Sequence, residues 1–197
     1  MKDIEIEIKV KITDIAPLLK FLQKSAKFIS KQQQVDRYYN PPGLDFFSER
    51  PVKHWLRLRQ ETNGTSSINY KLWHHQKDGT PTYCDEYESK LSDIPGMQKI
   101  FKALNFREAV KVDKVRKVWF YHDSKRDYEI AVDSVKNLGD FVEIEYKGKS
   151  SKVAAEKINL DMIKFLKDLG CGEIERNYDG YAFQLLFKNE IARKKTY

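Results

Sequence analysis

Glu5-Ile6-Glu7-Ile8-Lys9 sets two carboxylates and an ammonium at every second position of one short segment. A β-strand turns successive side chains to opposite faces, so the three charges share one face and Ile4, Ile6 and Ile8 share the other. At about 3.3 Å per residue the two carboxylates stand about 7 Å apart along the strand, close enough to share a hard cation. Val142-Glu143-Ile144-Glu145-Tyr146 repeats the arrangement, and Asp133 precedes it by one hairpin. Carboxylate oxygens suit Mg²⁺ or Mn²⁺, ions that keep several waters and bridge phosphates. The cations alternate in the same way, as Arg57 and Arg59 between Leu56 and Leu58, as Lys71, and as Lys114 and Arg116 about Val115. Arg offers a bidentate grip on phosphate oxygens and Lys a point charge. Acids beside Arg and Lys at this density are the chemistry of a divalent metal on a polyphosphate. Lys9 is the candidate base for the nucleophile, unless a bound metal acidifies its own water. Glu86 and Glu88, about Tyr87, are less distinctive and fit a role in orienting the basic side chains.

These residues need strands to position them. A strand over residues 3–11 is followed by a helix capped by Thr13 or Asp14, with Pro17 in its first turn and Ile15, Leu18, Leu19 and Leu22 at helical spacing. Residues 31–39, which include Asp36, read as a strand ending at the Asn40-Pro41-Pro42-Gly43 turn, with a loop over 44–54. Strands over 54–60 and 67–73 flank Asn63-Gly64, and Asp78-Gly79 precedes a strand over 82–91. A helix capped by Asp93 comes next, then strands over 110–122, 128–135 and 140–147. Two C-terminal helices are predicted at about 151–169, closed by Gly170, and about 179–193. Residues 1–197 read as one domain, with these helices part of it.

The helices carry apolar stripes, which the apolar strand faces would cover, leaving the ionic faces turned away from the helices. An open sheet would present those faces to water, where any polar residue serves. Here they alternate acid and base almost exclusively, which predicts an α+β fold with a closed eight-stranded antiparallel β-barrel, a tunnel with a charged interior flanked by helices. Inside would lie Lys9, Lys11, Arg57, Arg59, Lys71, Lys114 and Arg116 against Glu5, Glu7, Glu86, Glu88, Asp133, Glu143 and Glu145.

A net charge of +7 favours an anionic partner. The basic residues are interleaved with acids, apart from the tail Arg193-Lys194-Lys195, which reads as solvated. Cys84 and Cys171 have neither disulfide nor zinc spacing and fit reduced thiols. No apolar leader or membrane-length span occurs in the sequence, so a cytoplasmic protein with no membrane partner is expected.

The chain resembles the CYTH superfamily, the triphosphate tunnel metalloenzymes. Glu5-Ile6-Glu7-Ile8-Lys9 is similar to that family's ExExK signature. Asp36-Arg37-Tyr38-Tyr39, Leu56-Arg57-Leu58-Arg59, Tyr70-Lys71, Glu86-Tyr87-Glu88, Lys114-Val115-Arg116, Val132-Asp133-Ser134-Val135 and the run from Leu138 to Glu145 follow in the family's order. The resemblance spans essentially the whole chain, and the layout looks most similar to the class IV adenylyl cyclase branch. It implies Glu5 and Glu7 as ligands that position metal and nucleophile, and Asp133, Glu143 and Glu145 as metal ligands on the opposite wall. Lys9, Arg57, Arg59, Lys71, Lys114 and Arg116 would bind the triphosphate, with Asp36, Glu86 and Glu88 supporting them.

The reaction implied is conversion of ATP to cyclic AMP and pyrophosphate, with Mg²⁺ or Mn²⁺ as cofactor. The alternatives are hydrolysis of thiamine triphosphate, inorganic tripolyphosphate or a nucleoside triphosphate, since all need the same clamp. A non-catalytic polyphosphate-binding module is a third candidate, but Glu5, Glu7, Glu143 and Glu145 would repel its ligand unless metal intervened. Nucleic acid ranks last as a partner, for want of stacked aromatics on a basic face. The apolar pattern does not distinguish a homodimer face from helix packing. Trp55 and Trp73 could stack on a base or thiazolium ring, although packing at strand ends is their commoner use. His74 and His75 point to opposite faces and fit a solvated pair better than a proton shuttle.

Overall fold

The computed structural model describes residues 6–76, 81–148, 155–190 and 194–197, with the backbone alone at 81–83. Its elements run β1 (Ile6–Ile12), α1 (Ala16–Ser25), β2 (Lys27–Asn40), β3 (His54–Glu61), β4 (Ser66–His75), β5 (Pro81–Lys90), α2 (Ile94–Ala103), β6 (Arg107–His122), β7 (Asp127–Val135), β8 (Gly139–Tyr146), α3 (Ala155–Asp168), β9 (Ile174–Asn177), α4 (Tyr181–Leu186) and β10 (Lys194–Thr196).

The strands form one ten-stranded sheet in the order β10-β9-β1-β8-β7-β6-β2-β3-β4-β5. This sheet is open, and the closed eight-stranded barrel expected from the sequence is not formed: β10 and β5 end the order. Two physical reasons account for the difference. β1 has both edges in use, pairing with β8 from Ile6 to Val10 and with β9 from Val10 to Ile12. The ionic side chains, moreover, compensate one another sideways across neighbouring strands, so their density does not by itself require enclosure.

The chain condenses into two compact units, residues 1–31 with 114–197, and residues 32–113. In the first, Ile6, Ile8 and Val10 of β1 join Ile130 and Val132 of β7 and Val142 and Ile144 of β8. Leu18 and Leu22 of α1 and Ile158, Met162, Ile163 and Leu166 of α3 cover them, all buried. These are the alternate strand positions and the i, i+4 helix positions that the sequence pattern selects. Asp14 accepts the Ala16 amide at 2.9 Å at the start of α1. At the end of α3 the amide of Cys171 reaches the carbonyl of Leu166 and that of Gly170 the carbonyl of Lys167, a Schellman closure with Gly170 at φ +82°.

In the second unit Tyr39 and Leu58 pack against Ile94 and Phe101 of α2, whose N-terminus is capped by Asp93 on the Gly96 amide at 2.9 Å. Ile100 on this helix and Leu104 at its end are exposed.

The C-terminus differs from the sequence expectation. Of the helix expected over 179–193, the described residues form only Tyr181–Leu186, residues 191–193 lie outside the described residues, and Lys194–Thr196 pair as β10 against β9. Lys194 and Lys195 of the basic tail are exposed, as expected of a solvated segment, while Lys194 pairs with Glu175 at 3.1 Å and the Tyr197 amide donates to the carbonyl of Ile174 at 2.9 Å; Arg193 lies outside the described residues. Tyr197 packs against the first unit's core, with the Lys195 ammonium over its ring.

Candidate functional site

In the first unit, strand parity sends Glu7, Lys9, Lys114, Arg116, Asp133, Glu143 and Glu145 to the sheet face away from α1 and α3. Register places Lys9 opposite Glu143, Glu7 opposite Glu145 and Arg116 opposite Asp133. Asp133 is fully buried and receives four donors. Arg116 grips it bidentately, Nε to Oδ1 and Nη2 to Oδ2 at 2.7 Å each, while Lys114 Nζ reaches Oδ2 at 3.1 Å and the Tyr181 hydroxyl donates to Oδ2 at 2.9 Å. Glu143 lies beside it, accepting from Arg116 at 3.1 Å and facing Lys9 Nζ at 3.4 Å.

Charge sets the protonation of this cluster. Burial alone would raise the Asp133 and Glu143 pKa values, but Arg116 and Lys114 hold the first well below the carboxylate range, and Lys9 and Arg116 bring Glu143 down to about 2. For Lys9, burial works against the ammonium, and Glu143 and Glu7 outweigh it, so its pKa lies above the ordinary value. Burial and the neighbouring Asp133 push Tyr181 well above 10, which keeps its hydroxyl a donor.

Glu7, Glu145 and Glu129 form a row across β1, β8 and β7, since Glu145 faces Glu7 on one side and Glu129 on the other. Lys147 lies on this row, paired with Glu145 and 3.8 Å from Glu129. All the oxygens are of the hard type that Mg²⁺ and Mn²⁺ take. Among the described residues, however, no group of three or more His, Cys, Asp or Glu is drawn together as a metal cage. Glu5 lies outside the described residues. Lys11, expected among the interior charges, donates to the carbonyl of Leu138 at 2.8 Å and lies over the Phe141 ring.

The second unit builds a parallel arrangement on β2 to β5. Asp36, 3% exposed, takes Arg59 bidentately at 2.6 Å on each oxygen and Arg57 Nη1 at 3.3 Å. Arg57 Nε is buried without an acceptor among the described residues. Lys71 pairs with Glu86 at 2.9 Å, and Glu86 also accepts from Asn69 at 2.6 Å. These contacts outweigh the burial that would raise the Glu86 pKa and hold it below the carboxylate value. Glu88 accepts from Ser67 at 2.8 Å. Asp36 and Glu86 thus accept from cationic side chains, while Glu88 contacts a hydroxyl.

Sequence reasoning missed Asn69, Ser67, Glu129, Lys147 and Tyr181. Asn69 and Ser67 alternate with Lys71 on β4, so strand parity alone could have found them. Glu129 stands in the same relation to Asp133 on β7. Tyr181 had no such signal, because it comes from a short helix 48 residues beyond its partner. Trp55 stacks edge-on to Tyr38 and tilts against Phe47 at centroid distances of 5.6 and 5.5 Å. His74 Nε2 lies 2.8 Å from Asp85.

The family model described as the CYTH domain matches residues 3–177. A protein of Methanocaldococcus jannaschii named "Putative adenylate cyclase MJ0240" is 36% identical over 167 residues, covering 84% of this chain and 89% of its own. Among solved structures, the PH1819 protein of Pyrococcus horikoshii is 25% identical with a TM-score of 0.68, over 95% of this chain and 100% of that one. A Hippeastrum protein shares the fold at a TM-score of 0.66 and 17% identity, over 95% and 97% of the two chains. It is described as a putative adenylyl cyclase with a dominant triphosphatase activity.

Proposed function

The chain belongs to the CYTH domain family, and on that premise we propose that it is a divalent-metal-dependent enzyme acting on a triphosphate, a class IV adenylyl cyclase that converts ATP to cyclic AMP and pyrophosphate. The observation that carries this is the pair of buried aspartates, Asp133 and Asp36, each fixing two cations on a charged sheet face. Cations fixed before the substrate arrives need no reorganisation when charge develops on a transferring phosphoryl group. Lys9, Lys114 and Arg116 in one unit, and Arg57, Arg59 and Lys71 in the other, are the phosphate-binding candidates. Arg57 Nε, buried without an acceptor among the described residues, supports an anionic ligand.

Glu7, Glu143 and Glu145, with Glu5, would hold Mg²⁺ or Mn²⁺, which supplies charge neutralisation on the phosphate oxygens. Asp133 was expected to share in this; with four donors on its two oxygens, we assign it to aiming Arg116 and Lys114. Lys9 is placed to receive the proton of the nucleophile only in its neutral form. The Glu143 and Glu7 carboxylates disfavour that form, so we assign it to phosphate binding ahead of base catalysis. In the cyclase reaction the ribose 3′-hydroxyl gives its proton to solvent water and its oxygen bonds to the α-phosphorus, as the bond from that phosphorus to the oxygen bridging to the β-phosphate breaks and pyrophosphate leaves.

The fold shared with the Hippeastrum protein keeps a second reaction in view, attack of water on the terminal phosphate. Incubating the protein with Mg²⁺ or Mn²⁺ and ATP, tripolyphosphate or thiamine triphosphate in separate reactions, and resolving the products, distinguishes the two. Cyclic AMP and pyrophosphate from ATP are expected; orthophosphate together with the corresponding diphosphate, and no cyclic AMP, would assign a triphosphatase, and no turnover of any of the three would overturn the enzyme assignment.

A further inference from the structure

The Tyr181 side chain occupies a position that neither strand alternation nor the family assignment accounts for. It is buried, its hydroxyl donates to Asp133 Oδ2 at 2.9 Å, and its ring meets two ammonium groups, Lys9 Nζ 4.9 Å and Lys114 Nζ 5.2 Å from the centroid. Phe141 fixes the ring from another side, edge-on at a centroid distance of 4.8 Å. A ring face attracts cations, and the attraction grows where water is excluded. One side chain thus touches both lysines of the first unit's basic set, and through Asp133 it reaches Arg116.

We infer that Tyr181 is a positioning residue for triphosphate binding: its ring holds Lys9 and Lys114 in place, and its hydroxyl fixes the Asp133 carboxylate that aims Lys114 and Arg116. The inference rests on the triphosphate assignment and deepens it, since the side chain itself needs no contact with the ligand. Two like charges near one polyanion site repel each other when it is empty. An aromatic ring near both supports them without neutralising either, which a carboxylate in the same place could not do. The hydroxyl in turn removes one of the orientations Asp133 could adopt.

Titration calorimetry with inorganic tripolyphosphate and Mg²⁺ on the full chain tests this, using Tyr181→Phe, Tyr181→Leu, Lys9→Met and the double variant Lys9→Met/Tyr181→Leu. Tyr181→Leu is expected to weaken binding about tenfold and Tyr181→Phe, which keeps the ring, only about threefold. In the Lys9→Met background the further loss from Tyr181→Leu should shrink to a few-fold, because part of its effect passes through Lys9. A loss that is equal in both backgrounds, or equal for Phe and Leu, would overturn the positioning role. Should Tyr181→Leu fail to fold, Tyr181→Phe compared with wild type still decides, since unchanged affinity there removes the hydroxyl from the role. Wild-type protein that does not bind tripolyphosphate defeats the triphosphate assignment itself, whereas wild-type binding with unaffected variants defeats only the assignment of Tyr181.

Discussion

Asp133 receives Arg116, Lys114 and Tyr181 at once while fully buried, so removing its charge leaves two cations in a site with little water. Breaking a buried ion pair from one side costs about 3–5 kcal/mol, and we expect a loss of that order in denaturant unfolding of Asp133→Asn; a loss below 1 kcal/mol would mean the cations relax into solvent. Asp36→Asn should behave alike in the other unit. Glu143 gives a pH signature: its folded pKa of about 2 lies under the ordinary 4.5, so its contribution is complete above about 4.5 and disappears as pH falls towards 2. Lys9 runs the opposite way, with a pKa raised above 10.5; its contribution is complete below that value and is lost as pH rises through the folded pKa. In metal-free buffer the acid limb of thermal stability should flatten in Glu143→Gln and the alkaline limb in Lys9→Met; unchanged limbs would remove these pairs from the stability of the fold. Which charges share a face was legible in the sequence at this scale, because parity alone decides it. Which charge neutralises which was not, since the Tyr181 contact to Asp133 depends on a chain return that no local pattern encodes.

Strands and helices were the more legible level where periodicity was strong. Alternation located β1, β3, β7 and β8, the helical spacing of Leu18 and Leu22 located α1, and the helix expected at about 151–169 falls on α3 among the described residues. β2 begins at Lys27, ahead of the expected start at residue 31, because Phe28 and Ile29 are adjacent apolar residues, both exposed, and give no alternation to mark it. The C-terminal strands escaped notice for a related reason: Ile174 to Asn177 and Lys194 to Thr196 are too short to show a period, and their pairing is set by Glu175 and Tyr197 contacts made elsewhere in the chain. Deleting residues 194–197 removes a three-pair ladder and the Tyr197 ring, and should cost about 1–3 kcal/mol of stability. Equal melting temperatures for the truncated and full chains would show that β10 adds nothing to β9. Gly170→Ala places a Cβ at φ +82° and should cost about 1–2 kcal/mol by the same measurement.

For the whole molecule, the ordered charged segments pointed to the family that the CYTH domain match shows, but the step from ionic faces to a closed barrel did not follow. Charge density constrains how groups are compensated, and lateral pairing across an open sheet meets that constraint as well as enclosure does. The family match over residues 3–177 and the aspartate-fixed cations in both units lead to one shared expectation: the acids serve a metal and the bases serve a triphosphate. Mg²⁺-dependent turnover of ATP and tripolyphosphate, measured for wild type and for Glu7→Gln/Glu145→Gln with melting temperatures compared in parallel, tests this most directly. Turnover in the wild type that chelator abolishes, and a loss of at least about a hundredfold in the variant with its fold intact, is the predicted result; chelator-resistant turnover, or turnover undiminished in the variant, would contradict it.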